Sequence, residues 1–340
     1  MPLTTQMGWK KETTYATPAT PVDRFQEFES ESITPDMRRI EPTILRAATR
    51  GMREDRFIPY VAGYAGSIAF PVMSKQFGGW LEHMLGGTTA TGVLTDSSYT
   101  HTATLAGTTS LCGKGFTLQM NRPLGECGTT DQAFTYAGGK IGSWTLSCEQ
   151  GDIVKFEADV LFASGTTATA LAVASYPTGL EFLPFGLSQV TVAGLSVPVT
   201  SWSVQCNNNL KDDRFYIRNS YDRKEPIENG YREITVSFTM DFEAITDGTP
   251  AGKLGVYNRV IATIPANSLA SVVIATTAPT LIGASTYPAL TITMDKVRID
   301  EGAPTVDGPE QTMIDVTGKA LVPASGTWLS VAFRSTESTP

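Results

Sequence analysis

The stretch that most constrains the fold is Phe134–Phe162, FTYAGGKIGSWTLSCEQGDIVKFEADVLF. In an extended chain Trp144, Leu146 and Cys148 share one face, and Thr145 and Ser147 share the other. Past Glu149-Gln150-Gly151-Asp152 the alternation resumes, with Val154, Phe156, Ala158, Val160 and Phe162 set against Lys155, Glu157 and Asp159. A period of two on both sides of a Gly-containing turn is the pattern of an antiparallel hairpin, dry on one face and wet on the other. It gathers no nucleophile, base or ligand set. It reads as a wall.

The remaining composition suits such a wall. A hydrophobic fraction of 41% supplies a core, and 31 Gly and 20 Pro punctuate a chain rich in Thr, Val and Ser, which favours strands and turns. At 340 residues the length fits one large domain or two of about half that size. The net charge of −8 and pI near 4.9 exclude attraction to DNA or an anionic membrane through the whole-protein field. DNA passing close by remains compatible with them. Cys112, Cys127, Cys148 and Cys206 are far apart, with neither His83 nor His101 near one, so a zinc site is not expected. Cys148 and Cys206 lie on apolar strand faces and read as buried free thiols. The opening MPLTTQMGWKKETT has no apolar core, and no run approaches the ~20 apolar residues of a membrane span. The expectation is a soluble, reduced protein with no signal peptide and no membrane partner.

Three regions follow from the pattern. Residues 1–56, with Pro18, Pro21, Pro35 and Pro42 and then Arg38, Arg39, Arg46, Arg50, Arg53 and Arg56, read as an extended N-terminal arm holding a possible strand at 24–32. Residues 57–175 read as a first module. Its elements are a strand at Gly66–Val72 that needs an edge or bulge at Pro71, and a helix capped by Ser74 with the stripe Phe77, Trp80, Leu81, Met84, Leu85. Gly86-Gly87 ends that helix, and strands at Tyr99–Leu105 and Phe116–Met120, a loop at Gly125–Asp131 and the hairpin follow. A Thr/Ala/Gly-rich stretch then runs to Ser175 as linker or edge. Residues 176–340 read as a second module, beginning with a strand at Ser201–Cys206 and a polar excursion over Asn207–Asn229. An alternating strand over Tyr231–Phe242 and a helix over Ala251–Ala262, facing inward with Leu254, Tyr257, Val260 and Ile261, come next. Strands at Ala270–Ala275, Leu290–Ile299, Thr312–Leu321 and Trp328–Phe333 complete it. The halves match in kind and order about half a chain apart, the pattern of a duplication spanning Arg24–Ser164 and Leu187–Phe333. The likeness of Ser143-Trp144-Thr145-Leu146-Ser147-Cys148 to Ser201-Trp202-Ser203-Val204-Gln205-Cys206 joins non-equivalent positions of the two halves, and reads as convergent strand chemistry.

Candidate chemistry is thin. Asp212-Asp213 and Asp241/Glu243 are the carboxylate groups whose chemistry suits a cation or acid–base work. Neither has a partnered His or the spacing of a calcium loop. No Ser stands in a nucleophile elbow, and two His offer little to a triad. No catalytic, cofactor-binding or metal residue is assigned, and no enzyme is expected.

The opening GWKKETTYATPATPVDRFQEFESESI, Gly8–Ile33, resembles the N-terminal text of siphophage major tail tube proteins, with Ala16 where Gly is usual. SIAFPVMSKQFGGWLEHMLGG, the Phe134–Phe162 hairpin and TSWSVQCNNNLKD with ENGYREITVSFTMDF are similar to the same family's strand–helix and strand text. The resemblance implies a mainly β fold of tandem, duplicated tail-tube-type β-sandwich or open-barrel modules, each with a flanking helix. It implies a structural virion protein of a long non-contractile tail, made in the bacterial host cytoplasm and stacked as rings around a channel for genome DNA. Its partners would be itself, the tape measure protein and DNA in the lumen, and the tail tip and terminator proteins. Lys155, Glu157 and Asp159 would line the lumen or meet a neighbour, and the arm would order on stacking. Single-copy relatives close rings of six, so a duplicated chain would close a trimer with pseudo-sixfold symmetry. The alternatives are a tail terminator or distal tail ring of the same fold, or a glycan-binding β-sandwich with exposed aromatics on one face.

Overall fold

A computed structural model describes residues 4–94, 96, 98–124, 131–242, 255–262, 268–283, 285–304, 306 and 312–340. The first half runs β1 (Met7–Lys11), β2 (Arg24–Gln26), β3 (Ser30–Glu31), β4 (Thr34–Ile40), β5 (Ile58–Pro71) and α1 (Trp80–Leu85). It continues with β6 (Ala90–Val93), β7 (Tyr99–Leu105), β8 (Phe116–Asn121), β9 (Ala133–Glu149), β10 (Lys155–Phe162) and β11 (Ser164–Thr166). The second half runs β12 (Ser188–Val192), β13 (Leu195–Val197), β14 (Val199–Asn207), β15 (Leu210–Lys211), β16 (Ile227–Glu228), β17 (Glu233–Asp241) and α2 (Gly255–Val260). It ends with β18 (Leu269–Thr277), β19 (Ala289–Glu301), β20 (Met313–Ala320) and β21 (Leu329–Ser335). The protein is mainly β, and every strand pair among the described residues is antiparallel.

The hairpin at the heart of the sequence is β9–β10, and β9 organises the sheet. Its N-terminal part pairs with β8 and β11, its C-terminal part with β10 and β14. The strand bends between these parts at Gly138, which has φ 71° and no room for a Cβ beside Ala163. The two look-alike strands prove to be neighbours: Trp144 lies opposite Cys206, and Trp202 opposite Cys148. Each presents Trp and Cys to the same dry layer, which explains the echo without repeating a position of the fold.

Pairing recurs between the halves. In the first, β2–β1–β8–β9–β10–β5 pair in series, with β3 and β4 on β5 and β11 on β9. In the second, β13–β12–β18–β19–β20–β17 pair in series, with β14 on β17 and β21 on β19. β9 and β19 are each bulged twice, at matching places against their neighbours. The pairs β9–β14 and β7–β21 join the halves into one continuous sheet.

The cores differ in chemistry. Trp80 of α1 meets the rings of Trp9 at 4.5 Å, Phe116 at 5.4 Å and Phe70 at 5.5 Å. The second half packs Val272, Ile274, Ile292, Met294 and Val297 instead. Several local expectations shift. The strand expected at Gly66–Val72 begins at Ile58, because β4 extends its ladder. Ser74 does not cap the helix: α1 is entered through a 3-10 turn at Phe77–Gly79, and the Ser74 hydroxyl accepts the Glu181 N–H instead. In α2 the inward residues are Val256 and Val260, both against Gly302, while Ile261 is exposed. Residues 251–254, and 125–130 of the expected loop, lie outside the described residues. Of the segment expected as an arm, β1 and β2 are built into the sheet, with Met7, Trp9 and Phe25 buried. β4 also joins the sheet on β5, and residues 41–57 stand outside it with every residue exposed.

Candidate assembly surfaces

The wet face of the sheet is continuous across the halves. One row reads Ser67, Asp159, Ser143, Asn207 and Glu233 along successive registers, and Lys319, opposite Thr235 in the neighbouring row, reaches across to Glu233. Two rows along, Lys155, Ser147, Ser203, Ser237 and Thr317 follow in register, with the buried Pro71 beside Lys155. These positions alternate with the buried ones, so the face follows from the pleat. Its cations are held by carboxylates: Lys155 is 2.9 Å from Asp152, Lys319 is 2.7 Å from Glu233, and Arg298 is 2.5 Å from Asp300. Glu149, Glu157 and Asp315 add further carboxylates. A shallow hollow crosses β9, β14, β17 and β20 on this side, lined by Ser147, Glu149, Ser203, Ser237, Thr239 and Asp315.

The junction between the halves is clamped from above by residues 208–232. Lys140, fully buried on β9, lies 2.6 Å from the Glu225 carboxylate and donates to the Leu111 carbonyl. Burial lowers the Lys140 pKa, and the Glu225 contact works against that shift. Glu225 also accepts the Gly113 N–H, and Glu228 accepts the Leu111 N–H. The C-terminal carbonyls of α1 are shared with the second half: Asn208 donates to the Met84 carbonyl alongside Trp144 of the first half, and Arg232 donates to the Leu85 carbonyl. Nearby, Glu12 accepts from Thr117, Gly138 and Ala16, and its burial raises its pKa.

Among the described residues β2, β6 and β13 each pair on one side only, and two further edges stand at the junction strands. β3 and β4 pair with β5 on one side and, among the described residues, with no strand on the other. On β19, β18 stops opposite Arg298, which leaves the far edge from Ile299 onward without a partner among the described residues. Exposed apolar side chains cluster near both: Met37, Ile40, Ile44, Leu45, Met52, Phe57 and Ile58 at one, Phe242, Ile261 and Met313 at the other.

The residues singled out from sequence fall apart as a catalytic set. Asp212 and Asp213 are exposed, Asp213 lying 3.5 Å from Lys211. Asp241 ends β17, and Glu243 and Cys127 lie outside the described residues. Cys148 and Cys206 are buried, and burial pushes their thiols up to about 11 and about 12. Cys112 is exposed. His101 bridges Thr91 and the Glu337 carbonyl, and His83 is buried among Trp9 and Phe116 with its pKa pushed down to about 4. Sequence reasoning missed the Lys140–Glu225 clamp; a lysine inside an otherwise apolar strand was the available signal.

A β wall with one dry face, one wet face and, among the described residues, several unpaired edges suits a structural role. The chain belongs to the phage tail tube protein family: that family's sequence model matches residues 2–320. It is thus a structural component of a virion tail, and its family assembles as a homo-oligomeric tube. A search of curated proteins gives no match.

Proposed function

We propose that three chains close a ring of six modules with pseudo-sixfold symmetry, and that rings stack into the tail tube that conducts genome DNA to the host. The observation that carries this is the recurrence of one pairing scheme in two halves, 57–175 and 176–340 with their leading strands, fused into a single sheet. Fusion makes every second lateral contact intramolecular, so fewer association entropies are lost per ring. The wet face lines the channel, where the tape measure protein lies before DNA replaces it. Ser, Thr and paired cations on that face suit fast passage, since each free Lys or Arg near phosphate adds binding and salt dependence. Tail tip and terminator proteins meet the two ends of the tube.

Electron microscopy of concentrated or seeded protein tests the reading, with rods or stacked rings expected. A reconstruction counts chains per ring: three are expected, and six would overturn the duplication argument. Assembled tubes are expected to bind DNA weakly and with little salt sensitivity.

A further inference from the structure

The clamp over the junction between the halves holds three buried cations, and only two of them are paired. Lys140 has the Glu225 carboxylate and the Leu111 carbonyl, and Arg232 has the Glu228 carboxylate and the Leu85 carbonyl. Arg223, only 5% exposed, has no such partner: its Nε and Nη1 are buried and no acceptor reaches them. A guanidinium does not give up its proton, and a buried charge without a counter-charge is costly to hold. We propose that Arg223 forms an oxyanion site, filled by a free tetrahedral ion of the phosphate or sulfate class, which fastens residues 208–232 to the first half beside the two ion pairs. The site stands independently of the tube reading.

The surroundings supply donors and no carboxylate to spare. Arg214, Arg218 and Lys224 lie close to Arg223 in sequence, and among the described residues no carboxylate stands within ion-pair distance of any of the four. Arg214 and Arg218 donate instead to the backbone carbonyls of Glu225 and Asp222, at 2.5 and 2.7 Å. The carboxylates of the clamp are committed, Glu225 to Lys140 and the Gly113 N–H, Glu228 to Arg232 and the Leu111 N–H. Glu12 is spent on Thr117, Gly138 and Ala16. Tyr15 packs against Gly138, with the Lys140 ammonium 5.5 Å from its ring, and its hydroxyl is buried without a partner. It lies in the field of Arg223 and Arg218, and burial raises its pKa, so it keeps its proton and presents an O–H to an anion.

Gly63 on β5 leaves the guanidinium its space. Its φ of 144° favours glycine, and a Cβ there would stand 2.7 Å from the Phe162 carbonyl oxygen and 3.7 Å from the Arg223 Cζ. The Phe215 ring lies 5.9 Å from the Arg223 Cζ, and the stack of Tyr60 on Tyr221, at 4.9 Å, ties the loop to the same strand. Nε and Nη1 belong to different edges of the guanidinium, so one oxygen cannot serve both. A tetrahedral oxyanion with its bound water has acceptors enough for both edges and for Tyr15, whereas a carboxylate has two oxygens in one plane. The exposed Arg218 and Lys224 draw anions to this place on a chain whose net charge is −8.

Thermal melting of the full chain near neutral pH tests the site, in millimolar sodium phosphate or sulfate against sodium chloride of equal ionic strength. Both oxyanions are expected to raise Tm. Phosphate at a hundred times its dissociation constant is expected to shift the unfolding equilibrium about a hundredfold toward the folded state. Titration calorimetry is expected to count one phosphate per chain. Arg223→Met keeps the apolar stem and removes the charge, so it is expected to melt as high as the wild type in chloride and to lose the phosphate shift. Tyr15→Phe keeps the ring and is expected to weaken phosphate binding at least about tenfold. An Arg223→Met chain that still responds to phosphate like the wild type would assign Arg223 to packing alone and overturn the site. Should that variant fail to fold, Tyr15→Phe and calorimetry on the wild type decide, and phosphate bound equally well without the hydroxyl would overturn the donor set. A response to acetate but to neither tetrahedral ion would overturn the free ion and assign the guanidinium to a carboxylate of another chain. No response to any of the three would mean that water alone meets these donors, which also overturns the proposal.

Discussion

Two loops in this molecule hold the same topological place and differ in what they are packed against. Residues 208–232 cover the β9–β14 junction, bury Arg223 and Arg232, and end the α1 carbonyls. Residues 41–57 hold no buried residue, whereas the docked loop exposes Ile217 and Tyr231 but buries Asn208, Arg223 and Arg232. Local sequence does not explain the contrast, since both segments are polar, charged and poor in regular structure. What differs is the presence of a partner: one loop finds the other half of its own chain beneath it, and the other finds solvent. A loop's order is here a property of the surface it lands on.

The sharpest way to break the comparison is to unpair the docked loop. Glu225→Ala leaves the Lys140 ammonium buried without its carboxylate, and the expected loss is about 3–5 kcal/mol of folding stability, read by urea denaturation. Lys140→Met, which removes the charge along with its need for a partner, is expected to cost far less. Equal losses for both would show that packing, not charge, holds the loop.

A second test separates the halves by pH. His83 belongs to the aromatic core of the first half, and its pKa falls from 6.5 to about 4 because burial disfavours the imidazolium. With the folded value below the unfolded one, its contribution is complete above pH 6.5 and is lost progressively as pH falls toward 4. The loss amounts to ~3 kcal/mol across that window. Denaturation midpoints measured from pH 7 to pH 4 are expected to show this slope, and His83→Phe to flatten it. A slope that survives the substitution would place the titration elsewhere.

The smallest expected effect lies on the exposed loop. Leu45→Ser removes an apolar side chain that touches little in the single chain, so monomer stability should change by less than about 0.5 kcal/mol. Assembly is expected to weaken visibly in the same variant, by light scattering. A monomer destabilised by more than that would mean that the loop is packed within its own chain.

Much of this architecture is written in the period of the side chains. The β9–β10 hairpin, the wet face through Lys155, Glu157 and Asp159, and the Trp80 stripe of α1 follow from where apolar residues recur, because pleat and helix each impose one spacing. The mainly β character and the repeated order of elements are read the same way. Other features have no local signature. Met7 and Trp9 sit in a segment that reads as an arm, and they are core because β8 offers them an edge from more than a hundred residues away. Ser74 looks like a helix cap and is spent on Glu181. The two Trp–Cys strands look alike in sequence, but only the sheet makes them partners. Lys140 reads as an error in an apolar strand until Glu225 arrives from across the junction. Periodicity fixes which face of each element is dry; which dry faces and which edges meet is decided by contacts between residues far apart in the chain, and those energies exist only once the fold has brought them together.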